Sequence, residues 1–270
     1  AIFGTYTFDP PFFEDRILNI LQKHDTENVL VLVDSSEYAD RFVEMKHAGR
    51  EYYIDYCKCA KTFHPKFTLL TWPHGGKLLV GSANLTGDAW MSAGELLISL
   101  EFDAADPDTR AVYSQMKSFL RGLLAQKLVK SIKHRTKIQE VLDQTRWLAE
   151  LDESLSSSRI QLLHNLGTPI IDQVFHQIGK EKVQEVSLLS PRFDPEGSVL
   201  NRVLQSGCKN LTLYIQPDRV VDFPKNQALR ARKKGIKIRA IAATFKEQER
   251  RYIHAKLLLI KTNRKVYCVF

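Results

Sequence analysis

The chain has 270 residues, 44% of them hydrophobic and 26% charged, with 39 Lys and Arg against 31 Asp and Glu for a net charge of +8. That is the composition of a soluble globular protein with room for one large domain or two of ordinary size. No run of eighteen apolar residues occurs, which excludes a membrane-spanning helix. No basic and apolar leader is visible, so the sequence predicts a cytoplasmic protein.

The basic excess points to an anionic partner, of which nucleic acid is the commonest; a merely basic surface is the alternative. The four cysteines, Cys57, Cys59, Cys208 and Cys268, are not spaced as a disulfide framework and are expected to be reduced thiols. Cys57 and Cys59 stand near His47 and His64, but a single C-x-C without a second paired cluster is a weak zinc signal. No metal and no cofactor is expected.

In chain order, Phe12 to His24 carries apolar residues at helical spacing (Phe13, Ile17, Leu18, Ile20, Leu21). Asn28 to Val33 reads as a buried strand that ends at Asp34-Ser35-Ser36, a helix-capping segment. Residues 36–48 are compatible with a helix, Gly49 breaks it, and Glu51 to Cys57 reads as a strand. His64 to Thr71 and Lys77 to Val80 form a predicted strand pair around the turn Trp72-Pro73-His74-Gly75-Gly76. Thr109 to Leu155 has little Gly and no Pro and is expected to be helical. Its basic segment (Lys127, Lys130, Lys133, His134, Arg135, Lys137) suits a solvated face as well as a nucleic-acid contact. The second half repeats the order: helix Ile170–Ile178, strand Val183–Leu189, helix Pro195–Gln205 and strand Asn210–Ile215. A basic helix from Lys225 to Lys234 and an extended Ile236–Ile241 follow, then the strand pair Ile253–Ile260 and Lys265–Phe270. Alternation of helices and strands predicts an α/β protein with helices on both faces of a sheet.

Two histidine–lysine pairs carry the chemistry. His64-Pro65-Lys66 is followed by Gly81-Ser82-Ala83-Asn84-Leu85-Thr86, and His254-Ala255-Lys256 stands 190 residues after the first pair. In extended chain, residues two apart project together, so each His and its Lys should share a face. A neutral imidazole can attack phosphorus, and a protonated one can hand a proton to the departing oxygen. Lysine ammonium groups, with Ser82 and Asn84 as hydrogen-bond donors, would stabilise charge on the non-bridging oxygens.

These residues resemble the phospholipase D superfamily, whose signature is HxK, then four residues and Asp, with GSxN following. The resemblance implies a duplicated α/β fold of two pseudo-twofold-related α/β/α halves around one interface cleft. Residues 1–108 would be the first half, 109–155 a helical connector and 156–270 the second half. It implies His64 as nucleophile, His254 as general acid, Lys66 and Lys256 on the phosphoryl oxygens, and Glu95, eleven residues after Asn84, as the carboxylate that buttresses a catalytic His. The signature Asp would fall at Thr71 and Lys261; its absence is shared with the tyrosyl-DNA phosphodiesterase branch and disfavours a phospholipid-specific enzyme. A second GSxN would fall after Phe270, so the sequence is expected to be part of a longer protein, with further domains such as a helicase or restriction module.

Arg230, Arg232, Lys233 and Lys234 cluster on one candidate helix, and Arg250-Arg251-Tyr252 closely precedes His254. They favour a nucleic-acid substrate, DNA before RNA, with Arg250, Arg251 and Tyr252 as candidate substrate contacts. No amphipathic segment of the membrane-binding kind is present. The loop from Ser190 to Gly197 resembles strand-to-helix loops of nuclease-like members. The expected function is thus a metal-independent DNA phosphodiesterase working through a phosphohistidine. A phospholipid hydrolase or transferase and a catalytically weak nucleic-acid-binding module are the alternatives.

Overall fold

The computed structural model describes residues 1–38, 45–151, 158–194, 196–217, 222–241, 244–245 and 249–270. Residues 39–44 of the helix read over 36–48 lie outside them. The chain divides into two compact units: Ala1–Trp90 with Leu97–Gly167, and Met91–Leu96 with Thr168–Phe270. No helix among the described residues is long and apolar enough to cross a membrane.

Unit 1 is built on a six-stranded sheet of β1 (Ile2–Thr5), β2 (Leu30–Asp34), β3 (Tyr53–Cys57), β4 (Phe67–Trp72), β5 (Gly75–Gly81) and β6 (Leu97–Glu101). Their order is β3-β2-β1-β4-β5-β6. β1, β2 and β3 run parallel, and β4 returns antiparallel against β1 and pairs with β5. Strand β1 was not legible in the sequence: four residues containing a glycine give almost no period. It is nevertheless the strand that joins the parallel and antiparallel parts of the sheet. Its Gly4 lies against the Phe67 ring, where a Cβ would fall 2.2 Å from a ring carbon, so no side chain fits.

Strand β2 is buried along its whole length, and its period of two divides it between two cores. Leu30 and Leu32 face a cluster with Val112, Met116, Leu120, Leu123, Ile138 and Leu142. Val31 and Val33 face another with Phe13, Leu18, Leu21 and Tyr52. The first face is covered by α4 (Pro107–Ala125), α5 (Ile132–Gln144) and α6 (Arg146–Ala149). The second is covered by a helix in three parts: α1 (Pro10–Phe12), a π-helical segment (Phe13–Leu18) and α2 (Asn19–Lys23). A short α3 (Gly87–Met91) follows β5. The expected layering, helices on both faces of a sheet, is what the structure has.

The stretch read as one helical segment over 109–155 is instead broken after Ala125. Lys127 takes φ +54°, and Leu128 N donates to Leu123 O while Lys127 N donates to Leu124 O. This left-handed closure satisfies the last carbonyls of α4 without a glycine, which is why composition gave no warning. Helix α5 restarts at Ser131, whose hydroxyl accepts from His134 N. The buried Asp55 carboxylate of β3 accepts from Lys130 N, Ser131 N and His134 Nδ1, all at 2.9 Å, and so ties the helix start to the sheet.

Unit 2 carries helices α7 (Ile170–Ile178), α8 (Ser198–Gln205) and α9 (Lys225–Lys233). Its strands are β7 (Val183–Leu189), β8 (Asn210–Ile215), β9 (Lys237–Ala240), β10 (Thr244–Phe245), β11 (Glu249–Arg250), β12 (Leu257–Thr262) and β13 (Val266–Val269). β10 and β11 form a separate two-stranded ribbon, and the main sheet has the order β13-β12-β7-β8-β9. β7, β8 and β9 are parallel, β12 is antiparallel to β7, and β12 forms a hairpin with β13. This is the β5-β4-β1-β2-β3 arrangement of unit 1 strand for strand, the duplication that the repeated element order predicted.

Candidate active site

Both HxK segments stop short of the strands assigned to them. His64, Pro65 and Lys66 precede β4, and His254, Ala255 and Lys256 precede β12. In the first segment Pro65 has no N–H to give a ladder, and Lys66 O accepts from Gly81 N at 3.1 Å. In the second, His254 N and Ala255 N both turn to Gly94 O, at 3.0 Å, and so leave the sheet. The expectation that survives is the pairing of side chains, which extended backbone provides with or without a ladder.

In unit 1, Lys66 Nζ lies 2.9 Å from His64 Nδ1 and 3.4 Å from His64 O, and Lys66 is only 8% exposed. An ammonium can only donate, so this contact is a hydrogen bond only while the ring nitrogen facing it carries no proton. The Tyr6 ring packs against the His64 ring at 4.9 Å between centroids. The GSAN loop is held from β1: Thr5 Oγ1 accepts from Leu85 N at 3.0 Å and donates to Thr7 O at 2.7 Å. Asn84 Oδ1 accepts from Thr7 N at 3.3 Å, and the Trp90 indole N–H donates to Asn84 O at 3.0 Å. With Oδ1 engaged, Asn84 keeps its Nδ2 as the donor end. Ser82 is buried beside it in the same loop.

Asp34, at the end of β2, is a buried acidic group of this unit. Its Oδ1 accepts from Ser36 N at 2.8 Å and Ser36 Oγ at 2.5 Å, and its Oδ2 accepts from Phe63 N at 2.5 Å. Asp34 caps the 3-10 turn Ser35–Tyr38, and its carboxylate also fixes the residue before His64. Burial would raise this carboxyl; the hydrogen bonds from Ser36 and Phe63 and the positive potential of His64 outweigh it and hold the group below the usual carboxylate range. Its stabilisation is therefore fully present above the unfolded value of ~3.9 and is lost as the pH falls through the lower folded value. Asp34→Asn is expected to cost about 1–3 kcal/mol at neutral pH. Urea titrations should show that cost shrinking as the pH falls below ~3.9; a cost independent of pH would mean that the charge contributes nothing.

In unit 2, Glu95 Oε1 accepts from His254 Nδ1 at 2.8 Å, with 8% and 19% of the two side chains exposed. Lys256 Nζ lies 3.3 Å from His254 Nε2 and 3.2 Å from His254 O. The carboxylate thus accepts a hydrogen bond from Nδ1–H and leaves Nε2 facing the ammonium. Glu95 reaches His254 because Gly94 is bridged to Ile253, with Gly94 N donating to Tyr252 O at 2.7 Å. Burial lowers the Lys256 ammonium, Glu95 partly restores it and Arg192 lowers it further.

Buried Gln216, at the end of β8, brackets the approach to His254: its Nε2 donates to Arg251 O at 2.8 Å, and its Oε1 accepts from Ile253 N at 2.8 Å. Tyr252 packs 5.9 Å from the His254 ring, and burial raises its phenol. Arg251 contributes its carbonyl here, and Arg250 lies in β11 with its side chain outside the described residues.

Sequence reasoning missed Thr5, Tyr6, Asp34 as a site residue, Gln216 and Arg192. Two of them had a signal: Arg192 sits in the loop singled out between Ser190 and Gly197, and Asp34 opens the capping segment. Among the described residues no three His, Cys, Asp or Glu side chains are placed to hold a metal ion. Cys57 is buried in β3, and burial pushes both its thiol and that of Cys59 up.

The chain has a duplicated phospholipase D-like fold. The yeast tyrosyl-DNA phosphodiesterase 1, in a crystal structure of a histidine variant, superposes with a TM-score of 0.60 at 9% sequence identity, covering 97% of this chain and 72% of that one. A crystal structure of the yeast tyrosyl-DNA phosphodiesterase gives 0.57 at 10% identity, over 97% and 74%. Another histidine variant gives 0.58 at 10%, over 98% and 74%. No protein-family model matches the sequence, and no curated protein sequence matches it.

Proposed function

We propose that the protein is a phosphodiesterase that acts on nucleic acid, DNA in preference to RNA, through a covalent phosphohistidine and without a metal. The observation that carries this reading is the Glu95–His254–Lys256 arrangement, a carboxylate-backed imidazole beside a half-buried ammonium, repeated in part as His64–Lys66 in the other unit. His64 attacks phosphorus through a ring nitrogen, forming an N–P bond as the P–O bond to the leaving group breaks. The departing oxygen takes its proton from imidazolium His254, whose charge Glu95 stabilises. Water then attacks the phosphohistidine, giving a proton to His254 and releasing His64. Lys66, Lys256, Ser82 and Asn84 neutralise charge on the non-bridging oxygens. The fold shared with tyrosyl-DNA phosphodiesterase and the net charge of +8 support a DNA substrate.

Labelled single- and double-stranded DNA incubated with the protein in excess EDTA should be cut, and His64→Ala should abolish cutting while leaving DNA binding intact. Binding without turnover in the wild type would leave a nucleic-acid-binding module. Turnover of phospholipid vesicles with no action on DNA would assign a lipid substrate.

A further inference from the structure

The C-terminal end of the parallel strands in unit 1 carries more than the His64 segment. β2 and β3 pair so that Asp34 lies opposite Cys57. Asp34 holds the residue before His64, and Lys58, the residue after Cys57, leaves from the same end of the sheet. Lys58 N donates to Leu128 O at 3.4 Å, which sets the α4–α5 turn beside it. That turn presents Lys127 and Lys130, whose Nζ donates to Lys127 O at 3.2 Å. The first turn of α5 adds Lys133, with its ammonium 4.3 Å from the centre of the Tyr53 ring, and Lys137 approaches the same ring at 4.7 Å.

Lys58, Lys127, Lys130 and Lys133 are all exposed. Among the described residues none of them forms an ion pair with a carboxylate. Asp55 is close by but buried, and it spends its oxygens on Lys130 N, Ser131 N and His134 Nδ1. Like charges gathered on one face without counter-charges repel one another, at a cost that a bound polyanion would remove. Lys127, Lys130 and Lys133 follow at three-residue intervals from the α4–α5 turn into the first turn of α5, a spread along the chain that suits successive phosphates rather than a single small anion. In open α/β sheets this end of the parallel strands is also where ligands bind.

We infer that Lys58, Lys127, Lys130 and Lys133 form a phosphate-backbone track on unit 1 that holds DNA away from the bond being cleaved. The inference rests on the nucleic-acid reading above. Its chemistry is electrostatic and independent of base sequence, with counterion release supplying the affinity.

The test is a triple variant, Lys127→Gln with Lys130→Gln and Lys133→Gln, none of which takes part in the proposed chemistry. Unchanged thermal melting would first show that the fold is intact. Anisotropy with a labelled single-stranded DNA of about 30 nucleotides, titrated over salt, should show the slope of log K against log salt falling in magnitude by about 2, at ~0.7 per lost contact. Affinity at low salt should fall at least about tenfold. Turnover of bis(p-nitrophenyl) phosphate, too small to span the track, should be unchanged.

A salt slope equal to that of the wild type would overturn the track. If the wild type cleaves both DNA and the small diester while the slope stays fixed, the track alone fails. If the wild type cleaves neither but the slope falls as expected, the track stands as a DNA-binding face and the phosphodiesterase reading fails. Binding to phosphatidylserine vesicles that is lost in the variant, with an unaltered DNA slope, would give the face to a membrane and overturn the inference.

Discussion

His254→Asn is expected to accumulate a covalent protein–DNA adduct when the leaving group is an aryl ester, such as a 3′-p-nitrophenyl phosphate on an oligonucleotide. A nitrophenolate departs without a proton, so His64 can still form the N–P bond. The second displacement needs a base to take a proton from water, and His254 is the proposed base. Loss of that group should slow adduct hydrolysis by about 10²–10⁴-fold. A burst of nitrophenol equal to the protein present should precede a slow steady state, and a DNA-linked band should survive denaturing electrophoresis. His64→Asn should give neither burst nor band. Adduct formation in His64→Asn would reverse the two roles, and a burst in neither variant would remove the covalent route.

Glu95→Gln should lower kcat on an unactivated DNA phosphodiester by about 10²–10³-fold while the protein stays folded. The amide can occupy the space of the carboxylate, but it carries no charge to stabilise imidazolium His254 and can present its NH2 to Nδ1 in place of an acceptor. On the aryl ester, where the first displacement needs no proton donor, the size of the burst should be kept. A merely structural role for Glu95 would impair the burst and the unactivated substrate alike. Comparing the two substrates therefore separates proton handling from packing, and Glu95→Asp should restore part of the activity.

The residues that could be placed from sequence are those with a local pattern. His64, Lys66, Ser82 and Asn84 stand at fixed spacings, and strands Val183–Leu189 and Asn210–Ile215 have the bounds that their apolar runs predicted. Glu95 was singled out as a candidate buttress by the resemblance, though nothing local tells which histidine it would support. The structure gives it to His254, 159 residues away. What stayed hidden depends on topology. Thr5 and Tyr6 matter because β1 enters the sheet between β2 and β4, and a four-residue strand has no period to betray it. Gln216 is an ordinary polar residue at a strand end until its amide closes on the backbone of Arg251 and Ile253. The histidine segments were misread as strand because residues two apart share a face in any extended chain, paired or not.

The segment Met91–Leu96 belongs to unit 2 although it is encoded within the first half of the chain. This has a consequence for synthesis on the ribosome. Gly94 and Glu95 emerge well before Tyr252, Ile253 and His254, to which they bond, 159 residues earlier in the case of the Glu95–His254 pair. At ~5–20 residues per second that interval is roughly ten to thirty seconds. A nascent chain carrying all of unit 1 therefore still holds one acidic strap in waiting. A gene cut between the halves would place Glu95 on a different fragment from His254.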